Sequence, residues 1–325
     1  MKKYLLTLPC ILIGWIQSFA QQDAQYSQYM FNSMVINPAY AGYRETLNLS
    51  LLHRDQWTGF TGAPKTQSFI ADGAFTQSKN VGLGLAVVND KFGLLGQSSA
   101  YLNYAYRLPV GNDARLSFGL AAGVAQYRID NGGAQVEDPD DQNFNGGNEN
   151  YIGPDGKFGV HFSNEKVYAG ISVTNLLARA VTYESLSGTV SKQGRHFFLT
   201  AGYLVDLNEN LKLKPSFLIK EDLKGPASLD LNSFLLVKES IWIGGSYRTG
   251  VNLWKKNSLN NAAINQNSVV GAVEFLVAQK FRLGYAYDYS LGGLRGSADG
   301  SHEISLGMVL NANKKSTAVL TPRYF

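Results

Sequence analysis

The chain has 325 residues, of which only 17% are charged, and it carries 34 Gly, 18 Tyr and 17 Phe against a single Cys. Its formal charge is +4 and the basic residues are scattered, which leaves no electrostatic footprint for nucleic acid. One cysteine cannot form an internal disulfide, so stability has to come from hydrogen bonding, packing or a membrane.

The first twenty residues have the order of a secretory signal. Lys2 and Lys3 precede an apolar run from Leu5 to Ile16, and Ser18-Phe19-Ala20 supplies small residues before Gln21. Cys10 lies inside that run, not at its end, so a lipoprotein anchor is not expected and the mature chain has no cysteine. Removing the signal leaves 27 basic residues against 25 acidic ones, close to neutral. No later stretch has the roughly 18 consecutive apolar residues of a transmembrane helix.

Residues 21–45 do not alternate. Gln25-Tyr26-Ser27-Gln28-Tyr29-Met30-Phe31-Asn32 is polar and aromatic, and Asn37-Pro38-Ala39-Tyr40-Ala41-Gly42 is turn chemistry. This segment is expected on the periplasmic side, either plugging the barrel floor or binding a periplasmic partner.

From Thr46 onward, stretches of about ten residues with period-two alternation are separated by turn residues. Leu116, Phe118, Leu120, Ala122 and Val124 fall on one face, and Arg115, Ser117, Gly119, Ala121 and Gly123 on the other. Phe281, Leu283, Tyr285, Tyr287 and Tyr289 likewise oppose Arg282, Gly284, Ala286, Asp288 and Ser290. Fourteen such segments are expected, at 46–55, 66–76, 81–90, 98–109, 114–129, 155–164, 166–176, 195–206, 210–221, 226–237, 240–250, 266–277, 280–290 and 301–311. Short links alternate with long ones at 56–65, 91–97, 130–154, 177–194, 222–225 (the shortest), 251–265 and 291–300. An even number of strands, one apolar face and alternating loop lengths describe an all-β fold. The expected architecture is a transmembrane antiparallel up-and-down barrel spanning 46–325, with both termini periplasmic. A soluble sandwich would not put its large apolar side chains on the same side of nearly every strand.

The inward face is expected to carry Asp72, Arg107, Asp230, Asn232, Arg248, Glu274, Arg282 and Asp288, a mixed set suited to a cross-linked interior. Catalysis has little footing. His53, His161, His196 and His302 are scattered without ligand spacing, and no nucleophile elbow is present. In the 137–149 loop, Asp141-Gln142-Asn143-Phe144-Asn145-Gly146 matches the first half of a calcium-binding loop. Its twelfth position is Ile152 in place of Glu, so only weak Ca2+ binding is expected, and otherwise no cofactor. The chain is therefore expected not to be an enzyme, and a rim hydrolase would need a His, an acid and a nucleophile to converge.

The opening motifs of residues 25–42 resemble those of the PorP/SprF family. So do Arg54-x-Gln56-Trp57-x-Gly59-Phe60-x-Gly62-Ala63-Pro64-x-Thr66, Asn89-Asp90 with Gly93, Ser301-His302-Glu303-Ile304 and Pro322-Arg323-Tyr324-Phe325. The resemblance implies an outer-membrane component of the type IX secretion and gliding-motility apparatus. It implies an accessory anchor or adaptor for a large secreted adhesin or its C-terminal sorting domain, with periplasmic ring components of the machine as further partners. Candidate contact residues are Trp57 and Phe60 in the first outer loop, and Tyr29, Tyr40 and Arg323 on the periplasmic side. The alternative is a porin-like channel for small solutes, which needs an open lumen.

Overall fold

The computed structural model describes residues 24–310, except 77, 112, 131–147, 178–183, 186–187, 190–193, 224, 255–266, 279 and 293–297. The strands are β1 (Leu47–Asp55), β2 (Lys65–Ala74), β3 (Val81–Phe92), β4 (Leu95–Pro109), β5 (Arg115–Ile129), β6 (Glu149–Ser163) and β7 (Val167–Thr174). They continue with β8 (Glu184–Ser185), β9 (Gly188–Thr189), β10 (His196–Tyr203), β11 (Val205–Asn208), β12 (Leu211–Glu221), β13 (Ala227–Val237), β14 (Ile241–Val251), β15 (Ser268–Val277), β16 (Phe281–Ser290) and β17 (Ser301–Leu310). β8 and β9 form a small separate ladder in a long loop. β10 and β11 are two parts of one barrel strand, interrupted at Leu204.

Each strand pairs antiparallel with its sequence neighbour. β1 pairs with β17, and β10 pairs with both β7 and β12, which closes a fourteen-stranded barrel. Closure matters because an unpaired strand edge cannot be satisfied in lipid. The two faces separate as the period-two pattern requires. Leu120 is 57% exposed on the outside, whereas Ser117 is 1% exposed within. Leu283, Tyr285 and Tyr289 face out, and Arg282 and Asp288 face in.

The connections β2–β3, β4–β5, β6–β7, β11–β12, β13–β14 and β15–β16 are short and share one end, where β1 starts and β17 stops. By the usual rule for such barrels this end is periplasmic and the long-loop end faces outward. One connection differs from expectation. The loop expected at 91–97 is a two-residue turn at Gly93 and Leu94, because β3 and β4 run on through Lys91, Phe92 and Gln97. With Gly93 and Gly96 interrupting the alternation these residues read as loop in sequence, yet they lie on a strand pair that projects on the outward side. The loop expected at 130–154 shortens for the same reason, since β6 begins at Glu149. β3 has 12 residues and β4, β5 and β6 have 15 each, whereas β7 and β10 have 8 each, so the longer strands project on the outward side.

The projecting part begins at a row of polar residues on the exterior. His53 pairs with Gln67, Gln67 with Asn89, Asn89 with Ser98 and Ser98 with Gln126, which marks the upper limit of the apolar surface on this side. Leu120→Arg should therefore lower barrel stability by about 2–4 kcal/mol, the usual cost of a midplane charge, while Gln126→Arg should be nearly neutral. Urea refolding into lipid vesicles, read by heat-modifiable mobility, checks this; equal losses would contradict the assigned boundary.

Candidate functional site: a filled lumen and its outer rim

The N-terminal segment lies inside the barrel. Residues 24–46 run through the lumen as three 3-10 turns, Tyr29–Phe31, Ser33–Val35 and Pro38–Tyr40, before the chain turns into β1. Tyr26, Tyr29, Met30, Phe31, Met34, Val35, Ile36, Tyr40 and Tyr43 are all buried, and they form one apolar cluster with Leu52, Ile70, Phe198, Leu218, Phe234 and Trp242 of the wall. Phe31 meets Phe234 edge-on, with ring centroids 5.8 Å apart. The buried Lys214 ammonium stands 4.6 Å from the Trp242 ring centre. A fourteen-stranded barrel is too wide for its own side chains to fill, and this segment supplies the missing core.

The wall is shaped to receive it. A side-chain carbon added at Gly119 would collide with the backbone of Ala39, at Gly82 with that of Ala41, and at Gly159 with the Asn37 side chain. The small residues of Asn37 to Gly42 therefore pack where the wall also lacks side chains. Asn37 fixes the turn, its Oδ1 accepting from Ala39 N at 2.9 Å while its Nδ2 donates to Val160 O at 3.2 Å.

Wall side chains hold the backbone of the segment at both ends. Near the outward end, Glu303 accepts from the N–H groups of Ser27 (2.8 Å) and Gln28 (2.7 Å). Arg54 donates to Ser27 Oγ at 2.7 Å and pairs with Asp288 at 3.1 Å, and Arg248 joins Asp288 (3.0 Å) to Asp230 (2.9 Å). Midway, Lys157 donates to Val35 O and Ser172 to Ile36 O. Near the periplasmic end, Arg107 donates to Gly42 O at 2.6 Å, Asp72 accepts from Gly42 N at 2.9 Å, and Glu45 meets Lys79, Arg107 and Arg115. Most of these buried charges are thus offset by an opposite charge or by backbone groups of the segment, which lowers the cost of burying them.

Of the two expected placements the structure shows the plug, extended through the lumen instead of confined to the floor. Its contacts run from Glu303 near the outward end to Arg107 near the periplasmic end, so Ala24 lies toward the outward end and the described part of 21–45 does not hang below the barrel. Tyr29 and Tyr40 are 4% and 5% exposed and are core residues here, not periplasmic contact residues. Burial raises both phenols well above their ordinary range, so they stay neutral, and Asn232 donates to Tyr29 Oη at 2.6 Å.

Two small clefts open beside Ala24, sharing Tyr26, Ile36 and Phe198. One reaches His196, Lys220 and Glu221, the other Asp90, Tyr101 and Lys157. Around them stands the rim. The loop after β1 is tied to its neighbours: Thr58 N donates to Gly300 O and Gly93 N to Gly62 O, both at 2.8 Å. Gly59 and Gly62 have φ of 87° and 77°, and Trp57 shares the left-handed region at 51°. Trp57 is half-buried, while Phe60 is 51% exposed at the loop tip. Arg323 and the calcium-like hexapeptide 141–146 lie outside the described residues. Ile152, the twelfth position of that loop motif, sits in β6 with its side chain outward. Among the described residues no group of three His, Cys, Asp or Glu is placed to hold a metal ion.

Residues 18–308 match the family described as type IX secretion system membrane protein PorP/SprF. The chain belongs to the PorP/SprF family. None of the curated proteins matches it in sequence. Its solved structural neighbours are outer-membrane barrels of low identity. A Pseudomonas aeruginosa FadL homologue is 10% identical over 91% of this chain and 96% of that one, with a TM-score of 0.45. The KdgM porin is 7% identical over 81% and 99%, with a TM-score of 0.39. BamA from Haemophilus ducreyi lacking POTRA domains 1–3 is 8% identical over 82% and 70%, with a TM-score of 0.44.

In this PorP/SprF barrel several residues of the motifs that resemble the family's join segment and wall. Gln28, Asn37, Gly42, Arg54 and Glu303 all make the contacts just described. Arg54, Lys157, Lys214 and Glu303 were absent from the inward set expected from sequence, although each occupies an inward register position. Gly119→Val should prevent the segment from seating, with folded barrel falling severalfold or more, whereas Gly271→Val, with open space around it, should leave assembly unchanged. Glu303→Leu should cost about 3–5 kcal/mol, because two N–H groups and Arg54 lose their buried acceptor. Urea midpoints of refolded protein measure both.

Proposed function

We propose that this outer-membrane PorP/SprF protein is an accessory anchor of the type IX secretion apparatus that helps export a large adhesin, or its C-terminal sorting domain, and holds it at the surface. The observation that carries the reading is the filled lumen: a barrel whose core is its own N-terminal segment offers surfaces, not a solute path. The outward rim, with Phe60 exposed and Trp57 half-buried on a loop fixed by its neighbours, suits contact with an exported partner. Periplasmic ring components of the machine would meet the short-turn end and the C-terminal tail that carries Arg323. Tyr29 and Tyr40 support this role only indirectly, through the rigidity of the barrel. A porin-like channel is the second reading, and it requires residues 24–45 to leave the lumen.

Two experiments separate the readings. Detergent pull-down of the tagged barrel from outer membranes, followed by mass spectrometry, should recover one large exported protein or ring components at near-stoichiometric yield. In planar bilayers the purified protein should add no steady conductance. A barrel recovered alone and conducting steadily would replace the anchor with the channel.

A further inference from the structure

Among the described residues, the outward half of β6 has a sheet neighbour on one side only. β5 pairs with it along its whole length, from Ile129 opposite Glu149 to Arg115 opposite Ser163. β7 pairs only with Phe158 to Ser163, the periplasmic end. Where β7 stops, the chain caps the edge once: Leu176 N donates to Gly156 O at 3.0 Å and Leu177 N to Asp155 Oδ1 at 3.2 Å. Because Gly156 O points away from β5, strand alternation turns the backbone groups of Pro154, Ile152 and Asn150 the same way. Among the described residues these three make no backbone hydrogen bond on that side. Pro154 fits such an edge, having no N–H to leave unpaired, and it limits indiscriminate pairing. Ile152 is 60% exposed beside it, opposite Gln126 at the upper limit of the apolar surface.

An open edge within the membrane would be untenable, but outside it this edge is a template for one more strand. We infer that the outward edge of β6, residues 149–152, docks an extended segment of the exported partner by strand addition. Backbone groups of Asn150 and Ile152 would supply the pairing, with the Pro154 edge just below, and an apolar side chain of the partner would lie beside Ile152. The inference rests on the anchor reading above and names the site of contact.

The test places a photo-crosslinking residue at Ile152 of the tagged full-length chain in cells, with the same residue at the lipid-facing Val173 as control. A covalent adduct with the exported protein from position 152 and not from 173 is expected. An adduct only with this chain's own 178–193 segment, or none, would overturn the docking edge. Independently, Ile152→Pro removes one edge N–H and should leave heat-modifiable mobility intact while lowering recovery of the exported protein about tenfold, the loss expected of one or two hydrogen bonds. Unchanged recovery with Ile152→Pro would contradict the edge while leaving the anchor standing. If the unaltered chain recovers no exported protein at all, the anchor reading itself fails.

Discussion

A closed sheet in lipid satisfies every strand edge, but at fourteen strands it encloses more space than its inward side chains can fill. The rest of the molecule follows from how that space is filled. Residues 24–45 occupy it, and the wall answers with glycines where the backbone comes close and with charged groups where the segment's N–H and C=O groups need partners. The lumen therefore has an apolar centre with ion-paired ends. Water would be a poor substitute for Phe31, Met34 and Tyr40, which pack against Phe234, Trp242 and His161.

This makes the barrel a rigid support. Arg54, Asp288, Arg248 and Asp230 form a continuous chain of buried pairs spanning β1, β16, β14 and β13, with Ser27 held against it. A network of this kind stabilises only when every member is satisfied, and it ties the position of the segment to that of several strands. The outward rim inherits that rigidity through Glu303, which lies two residues from Ser301, whose hydroxyl accepts from Trp57 N at 3.2 Å. Recognition surfaces then sit on a fixed frame, as a protein that holds a large partner at the cell surface requires.

The strands were legible because an apolar exterior against a mixed interior imposes strict period two, as in Phe118, Leu120 and Val124 against Ser117, Gly119 and Ala121. Two kinds of feature were not. Lys91 to Gln97 looks like a loop because Gly93 and Gly96 interrupt the alternation, yet β3 and β4 run through it and turn in only two residues, Gly93 and Leu94. The glycines there mark a tight turn and not a long connection. The path of residues 24–45 has no periodic signal, since each residue answers a different neighbour in the wall. The closest hint was compositional: the small residues from Asn37 to Gly42 and the inward glycines 82, 119 and 159 both spoke of close approach, but only three dimensions pair them. Tyr29 and Tyr40 read as partner contacts for the same reason, because an aromatic-rich segment outside the strands looks like a binding surface until it is seen to be a core.

The occupied lumen is tested most directly by a covalent tie between segment and wall. Ser305 Oγ donates to Gln28 Oε1 at 2.8 Å across the interior, and the mature chain is expected to hold no cysteine of its own. Introducing Gln28→Cys and Ser305→Cys and bridging them with a short thiol crosslinker should give a faster-migrating looped chain in denaturing gels, from barrels folded in the outer membrane. Folded barrels in which both cysteines react freely with water-soluble maleimide and never bridge would contradict an occupied lumen.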